Sequence, residues 1–227
     1  MTATRSADSD LSSSDATTTT PAIPLPKTSE SPQLLRIRHS MSHVMAMAVQ
    51  KLFPKAQVTI GPWTESGFYY DFDSPDPFTE ADLKAIKKEM IRIINRKLPL
   101  ERLEVSRSEA ETRIQAQNEP YKLEILAGIS EPISLYTLGD EWWDLCAGPH
   151  VESTKKIHPK AIDLESVAGA YWRGDEKRPM LQRIYGTAWG SPEELKAYNE
   201  FKAEAARRDH RKIGKDLNLF SIQQEEV

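Results

Sequence analysis

Three observations predict an α+β fold for this 227-residue chain. Segments whose apolar residues recur at helical spacing are mixed with short strand-like runs. Helix-start signals of the Ser/Thr-x-x-Asp/Glu kind stand where several of the periodic segments begin. There is neither an internal repeat nor the regular strand–helix–strand alternation that would mark a parallel sheet.

Residues 1–32 are rich in Ser, Thr, Asp and Pro and nearly free of large apolar side chains. Such a segment cannot bury enough surface to offset its ordering entropy, so it is expected to be a disordered tail. Over 34–52 the residues Ile37, Met41, Val44, Ala48 and Leu52 form one apolar stripe of a helix that Pro54 closes. His39 and His43, four apart, stack on a face roughly opposite that stripe. Ala46 and Met47 share their side, and no charged residue falls between His39 and Gln50, so the histidine face is expected to be covered or set in a cleft.

Residues 57–60 and 68–72 read as strands, connected through Gly61-Pro62 and Ser66-Gly67. A second helix starts at Thr79, with Asp82 as its capping-box partner, and runs through Leu83, Ile86, Met90 and Ile93. A shorter third starts at Ser106, with Glu109 in the same relation. Strand-like runs follow at 133–138 and 142–145, and then 164–189 is rich in aromatic residues and glycine, including Tyr171, Trp172, Gly174 and Tyr185. Ser191-Pro192-Glu193-Glu194 supplies an N-cap, a first-position proline and a capping-box Glu. The helix it opens carries Leu195, Tyr198 and Phe201, with a basic final stretch to about Lys212.

Composition narrows the class. One cysteine excludes an internal disulfide framework and fits a reducing compartment. No stretch approaches the ~18 consecutive apolar residues that span a bilayer, and Asp8, Asp10 and Asp15 argue against a secretory or transit leader. A cytoplasmic protein with no membrane partner is expected. The formal net charge of −4 gives no general argument for nucleic-acid binding. Basic residues nevertheless gather at Arg173, Lys177, Arg178 and Arg183, then at Arg207, Arg208, Arg211, Lys212 and Lys215, and such a patch can meet phosphates or simply be a solvated face.

The chemistry-bearing residues sit in two short blocks: His39-Ser40-Met41-Ser42-His43, and Cys146-Ala147-Gly148-Pro149-His150. Two histidines at i and i+4 alone are often just polar residues on a helix. A second block with a thiol and a third imidazole strengthens the pattern, because neutral imidazole and thiolate are preferred zinc ligands. The same set can instead steer a water. A zincin protease is excluded, since Ser40 stands where that motif needs Glu. Gly148-Pro149 predicts a tight turn that aims His150. Lys122 and Asp144 read equally as an ordinary surface lysine and a solvated strand end, while His158 and His210 read as a loop residue and part of a basic helix end.

Taken together and in order, Arg38-His39-Ser40 through His43, Ile60-Gly61-Pro62, Gly67-Phe68-Tyr69-Tyr70-Asp71, Tyr121-Lys122, the Cys146–His150 block, the runs 169–175 and 181–189, and Arg208-Asp209-His210-Arg211-Lys212-Ile213-Gly214 resemble the threonyl-tRNA synthetase family. The resemblance runs from about residue 34 to the end of the chain. It implies a threonyl/alanyl-tRNA synthetase editing-domain-like fold followed by a long linker helix. The expected divisions are a 1–32 tail, a 33–189 deacylase domain, and 190–227 as linker helix and start of a missing catalytic core.

By the same resemblance, the small ubiquitin-like domain that usually opens bacterial members is replaced by the tail. ATP and the core's own zinc belong to the absent aminoacylation core, so this chain is not expected to charge tRNA by itself. The implied activity is post-transfer editing, the hydrolysis of seryl-tRNA(Thr) to serine and tRNA. Serine lacks only one methyl group of threonine, a difference worth about 1–3 kcal/mol in binding, which motivates a second, hydrolytic sieve. His39 and Lys122 are expected to position or activate the water and the leaving ribose oxygen. His43, Cys146 and His150 would fix the pocket, and Tyr70 and Asp144 hold the seryl amine or hydroxyl.

No metal or other cofactor is expected; were zinc bound, His39, His43, Cys146 and His150 would be its ligands. Tyr171, Trp172, Arg173 and Arg183 are candidate tRNA contacts, or else a packed core edge. The partner is serine-mischarged tRNA(Thr), with no DNA partner; the parent enzyme is expected to be a homodimer and this chain a monomer. The rival readings are a non-catalytic tRNA-binding module, a zinc-dependent free-standing aminoacyl-tRNA deacylase, and a metal-dependent hydrolase of another small substrate.

Overall fold

The computed structural model describes residues 25–208. Helix α1 (Pro32–Leu52) is capped by Ser31, whose hydroxyl accepts from the Leu34 amide at 3.2 Å, with Pro32 in the first turn. Thr28 is buried, its hydroxyl accepts from Arg38, and Leu25 packs beside Trp189. Leu25 and Thr28, which the sequence reading put in the tail, thus pack against the rest of the described chain. No residue from Ser40 to Val49 reaches solvent beyond a few per cent, whereas Leu52, assigned to the apolar stripe, is 39 % exposed.

Strands β1 (Gln57–Val58) and β2 (Phe68–Asp73) follow; residues 59–60 continue from β1 as an irregular segment rather than as strand. Helix α2 (Glu80–Asn95) opens on the expected Thr79/Asp82 capping box, with both reciprocal bonds made. Its buried residues include Ile86, Met90 and Ile93. Then come β3 (Leu100–Val105), α3 (Arg107–Ala116), α4 (Pro120–Ala127), β4 (Ile133–Leu138) and β5 (Trp142–Leu145). A long hairpin, β6 (Ile162–Tyr171) and β7 (Met180–Ala188), occupies most of the aromatic, glycine-rich stretch, and α5 (Pro192–Arg207) closes the described chain.

The strands form two antiparallel sheets, one in the order β1-β2-β7-β6 and one in the order β3-β4-β5. Alternation on β2 sends Phe68, Tyr70 and Phe72 to one face, where they join Met41, Val44, Met45 and Ala48 of α1 and Ile86, Met90 and Ile93 of α2 in the main core. Asp71, on the other parity, faces its register partner Arg183 on β7. A smaller core of Ala110, Ile114, Leu126 and Ile133 joins α3 and α4 to the second sheet.

Ser191 caps α5 as expected. Glu194, however, bonds the Gly190 amide at 2.8 Å. Leu195 is buried while Phe201 is 63 % exposed, so the apolar face of α5 is narrower than its sequence suggests. His210, Arg211, Lys212 and Lys215 lie outside the described residues. Among the described residues, no helix is long and apolar enough to cross a membrane.

Met45 is fully buried at the centre of α1. Met45→Ala should lower unfolding free energy by about 2–5 kcal/mol, while Leu52→Ala should stay within about 0.5 kcal/mol. Urea denaturation of the two variants side by side checks this.

Candidate active site

Helix α1 and the turn after β5 bring the two sequence blocks together. Gly148 has φ +82, and a Cβ there would stand 2.6 Å from the Tyr136 hydroxyl, so only glycine fits. Its amide donates to Cys146 Sγ at 3.2 Å. The next carbonyl, of Pro149, lies 3.2 Å from His39 Nδ1. A carbonyl only accepts, so Nδ1 carries the proton and His39 Nε2 presents its lone pair, 3.4 Å from Cys146 Sγ. On the other side of the sulfur, His150 Nε2 lies at 3.3 Å. His150 Nδ1 meets Ser40 Oγ at 3.1 Å, and that hydroxyl also accepts from the Val151 amide.

His43 completes the group. Its ring centroid is 4.3 Å from that of His150 and 5.4 Å from that of His39. Burial, reinforced by the neighbouring imidazoles, holds His43 and His150 well below the usual histidine range; burial also lowers His39, against the bond to Pro149. Burial beside Asp144 pushes the Cys146 thiol up to about 12. At neutral pH the cluster is therefore three uncharged rings and a thiol.

A second polar set adjoins it. Lys122, in the first turn of α4, is 4 % exposed and forms an ion pair with Asp144 of β5, itself 3 % exposed. Lys122 Nζ donates to the Tyr70 hydroxyl at 3.0 Å, and that hydroxyl donates to Asp144 Oδ2 at 2.7 Å. His43 Nε2 stands 3.6 Å from the same carboxylate oxygen. Burial next to Asp144 raises the Tyr70 phenol well above its ordinary value, so it stays a donor.

Between these sets lies a cleft of about 310 Å³. His39 and His43 line one wall, Ile60, Gly61 and Pro62 the other, and Lys122, Asp144, Ile125 and Cys146 are reached from inside. Ser42 Oγ donates to the Gly61 carbonyl at 2.6 Å and so ties the two walls. Gly61 has no room for a side chain, because a Cβ there would overlap the Tyr70 ring. Tyr70 therefore sits behind the wall. A larger hollow of about 460 Å³, between Val105 and Ile133, is flanked by Glu104 and Glu131 and contains no imidazole, thiol or lysine; the smaller cleft holds the chemistry.

All seven residues singled out for catalysis or substrate binding converge here, Tyr70 and His150 just behind the lining. The four candidate tRNA contacts do not. Trp172 is 2 % exposed and packs on Tyr121 and Leu181, its indole donating to Glu124 at 3.2 Å. It is a core residue of the hairpin end, the packed-edge alternative of its sequence reading. Arg183 is held bidentate by Asp71, at 2.7 and 2.8 Å, and lies over the Tyr69 ring. Arg173 pairs with Glu124; Tyr171 alone presents an open ring. Trp172, Arg173 and Arg178 all converge on Glu124, so the hairpin buttresses the helix that carries Lys122. Ser40, Gln50, Gly61, Glu119 and Tyr136 are site residues that pattern reading missed; only the glycine before Pro62 carried a local signal.

The one ligand atom of each of His39, His43, Cys146 and His150 lies within 4.8 Å of the others. The two sulfur–nitrogen separations near 3.4 Å match the edges of a tetrahedron with Zn–N of about 2.1 Å and Zn–S of about 2.3 Å. Pro149 and Ser40 on the distal nitrogens are the partners that ligating imidazoles usually have. The donor set therefore fits a zinc ion, which would have to displace the thiol proton and draw the widest pair together.

Residues 133–185 match the family described as the threonyl and alanyl tRNA synthetase second additional domain, which places the chain with the editing domains of aminoacyl-tRNA synthetases. The chain is 76 % identical over 217 residues to the threonine–tRNA ligase of Synechococcus sp. (strain CC9902), covering 95 % of this chain and 36 % of that protein. It is 73 % identical over the same span to the ligase of Parasynechococcus marenigrum (strain WH8102), with the same two coverages. Against that of Synechocystis sp. the identity is 72 % over 198 residues, 87 % of this chain and 33 % of the relative. Over the stretch it shares with them, the chain belongs to the threonyl-tRNA synthetases and carries their editing domain; it spans about a third of the length of these relatives.

In the metal-free chain, the ring nitrogens of His43 and His150 should stay those of neutral imidazole as pH is taken from about 8 to about 5.5, read by 15N resonance. A midpoint near 6.5 for either would contradict the buried cluster. The sign for folding follows. Unfolded histidines protonate below about 6.5 while these do not, so their contribution is full above that pH and is lost as pH falls toward their depressed folded values.

Proposed function

We propose that the chain hydrolyses the ester of serine on threonine-specific tRNA, releasing serine and tRNA. The observation that carries this reading is the cleft itself: a neutral imidazole, a buried ammonium and a buried carboxylate face a space sized for a small aminoacyl group. His39 Nε2, neutral and aligned by Pro149, takes a proton from the attacking water. Lys122 gives two of its three donors to Asp144 and Tyr70; the third is free to meet the carbonyl oxygen as it becomes an oxyanion, or the departing ribose oxygen. Collapse of the tetrahedral intermediate breaks the bond to the ribose oxygen, which takes the proton back from His39 and leaves as the hydroxyl.

Asp144 accepts the seryl amine. Tyr70, whose hydroxyl is already engaged by Asp144 and Lys122 behind the Gly61 wall, acts by holding that pair rather than by touching serine. His43, Cys146 and His150 shape the back of the pocket. Threonine is spared because its extra methyl has no space. The name shared by the relatives, threonine–tRNA ligase, supports the choice of tRNA and of the amino acid to be spared. The deacylase unit would run from Leu25 to Trp189, with α5 as the linker to the remainder of a longer enzyme that is homodimeric.

A second reading is favoured by the four-donor geometry. Zinc on His39, His43, Cys146 and His150 would supply a Lewis acid beside the cleft. Exhaustive chelation separates the two readings: the proposed mechanism expects an unchanged hydrolysis rate, whereas loss of activity restored by added zinc would favour the metal.

The primary test follows hydrolysis of seryl-tRNA(Thr) and threonyl-tRNA(Thr) by the chain. Fast loss of serine with threonine retained is expected, and His39→Ala or Lys122→Ala should slow the reaction by about 100-fold or more. Binding of tRNA with neither ester cleaved would make the chain a binding module instead.

A further inference from the structure

Glu119 is 5 % exposed, immediately precedes α4, and has no part in the chemistry above. Its main-chain carbonyl accepts from the Lys122 and Leu123 amides at 3.1 and 3.3 Å, opening the helix. Its carboxylate leaves that helix altogether. One oxygen accepts from Gln50 Nε2 of α1 at 2.5 Å, the other from the Val58 amide of β1 at 3.0 Å. Gln50 Oε1 in turn accepts from the Trp142 indole of β5 at 2.7 Å, and the Trp142 ring meets His43 edge-on at 5.5 Å. Three elements that frame the cleft, α4, α1 and β1, thus meet at one side chain, and Gln50 links β5 to them.

The direction of every bond in this chain is fixed by its ends. An indole N–H and a backbone N–H can only donate, so Gln50 must turn its oxygen to Trp142 and its amide to Glu119. Both Glu119 oxygens must then accept, a demand that only a carboxylate meets.

We propose that Glu119 is a positioning residue for the deacylation. By anchoring the start of α4 to α1 and β1, it sets Lys122 at its working distance from His39 and from the 60–62 wall. The inference rests on the reading of the cleft as a deacylase and names a residue which that reading does not require.

Polarity gives a sharp test. In Glu119→Gln a new donor faces Gln50 Nε2, and whichever amide flips, one donor–donor contact remains. Exchanging the two residues, Gln50→Glu with Glu119→Gln, repairs it. The carboxylate now at position 50 accepts from both the Trp142 indole and the amide nitrogen now at position 119, and the amide oxygen at position 119 accepts from Val58. The wild-type chain, both single variants and the exchange variant are assayed on seryl-tRNA(Thr) above neutral pH, with kcat and KM separated. The Val58 amide and Trp142 indole resonances are followed in parallel.

Each single variant should lower kcat by about 10-fold or more with KM within about 2-fold, and the exchange should recover most of the loss. Both resonances should move in the singles and return in the exchange. A Glu119→Gln variant at the wild-type rate, or an exchange no better than the worse single, would overturn the proposal. If Glu119→Gln fails to fold, recovery of fold and rate in the exchange variant carries the same support. If the wild-type chain itself does not hydrolyse the ester, the deacylase reading fails, while the resonances still decide whether the Glu119 linkage exists.

Discussion

A lysine and an aspartate taken almost wholly out of water cost several kcal/mol each in lost hydration, and they persist only where each is the other's counter-charge and the remaining polar atoms are satisfied. Lys122 and Asp144 meet that condition through Tyr70, which accepts from one and donates to the other. Three separate elements, α4, β5 and β2, must therefore arrive in register before the pair is tolerable. Much of the surrounding structure holds them there. The β6–β7 hairpin grips α4 through Glu124, Glu119 ties its first turn to α1 and β1, and Gly61 lets the cleft wall lie directly on the Tyr70 ring.

The imidazole–thiol cluster follows a different rule. Its members are kept neutral by burial and by one another; the Pro149 carbonyl fixes the proton of His39 on Nδ1, and Ser40 holds the His150 ring in place. A neutral imidazole with its distal nitrogen fixed is at once a competent base and a competent ligand, so the same geometry serves water activation and zinc. In the proposed mechanism the adjoining Lys122 ammonium supplies positive charge to a developing oxyanion without a metal.

Much of this was legible in the amino-acid order. The α1 histidines, the Cys146–His150 turn, the Thr79/Asp82 capping box and the strands at 133–138 and 142–145 all carry local signals that the fold obeys. Other elements were opaque for physical reasons. In β3 only Leu100 is buried and charged residues break the alternation, as suits an edge strand. Helix α4 has eight residues, too few for a periodic pattern, yet it carries Lys122, whose burial depends on contacts 52 positions back at Tyr70 and on Asp144 ahead of it. Glycines and polar residues disguised β6 and β7. Composition likewise marked Trp172 and Arg183 for RNA, but the first faces the core and the second is bound by the residue opposite it on β2.

The central claim is that the aminoacyl group of the substrate occupies the cleft between α1 and the 60–62 segment. A crystal structure of the chain with an adenosine carrying serine through a non-hydrolysable amide link tests it most directly. The account predicts the amide carbonyl within hydrogen-bond reach of Lys122, with the seryl amine against Asp144. An analogue seated in the hollow between Val105 and Ile133, or against the open face of Tyr171, with the cleft left empty, would contradict it.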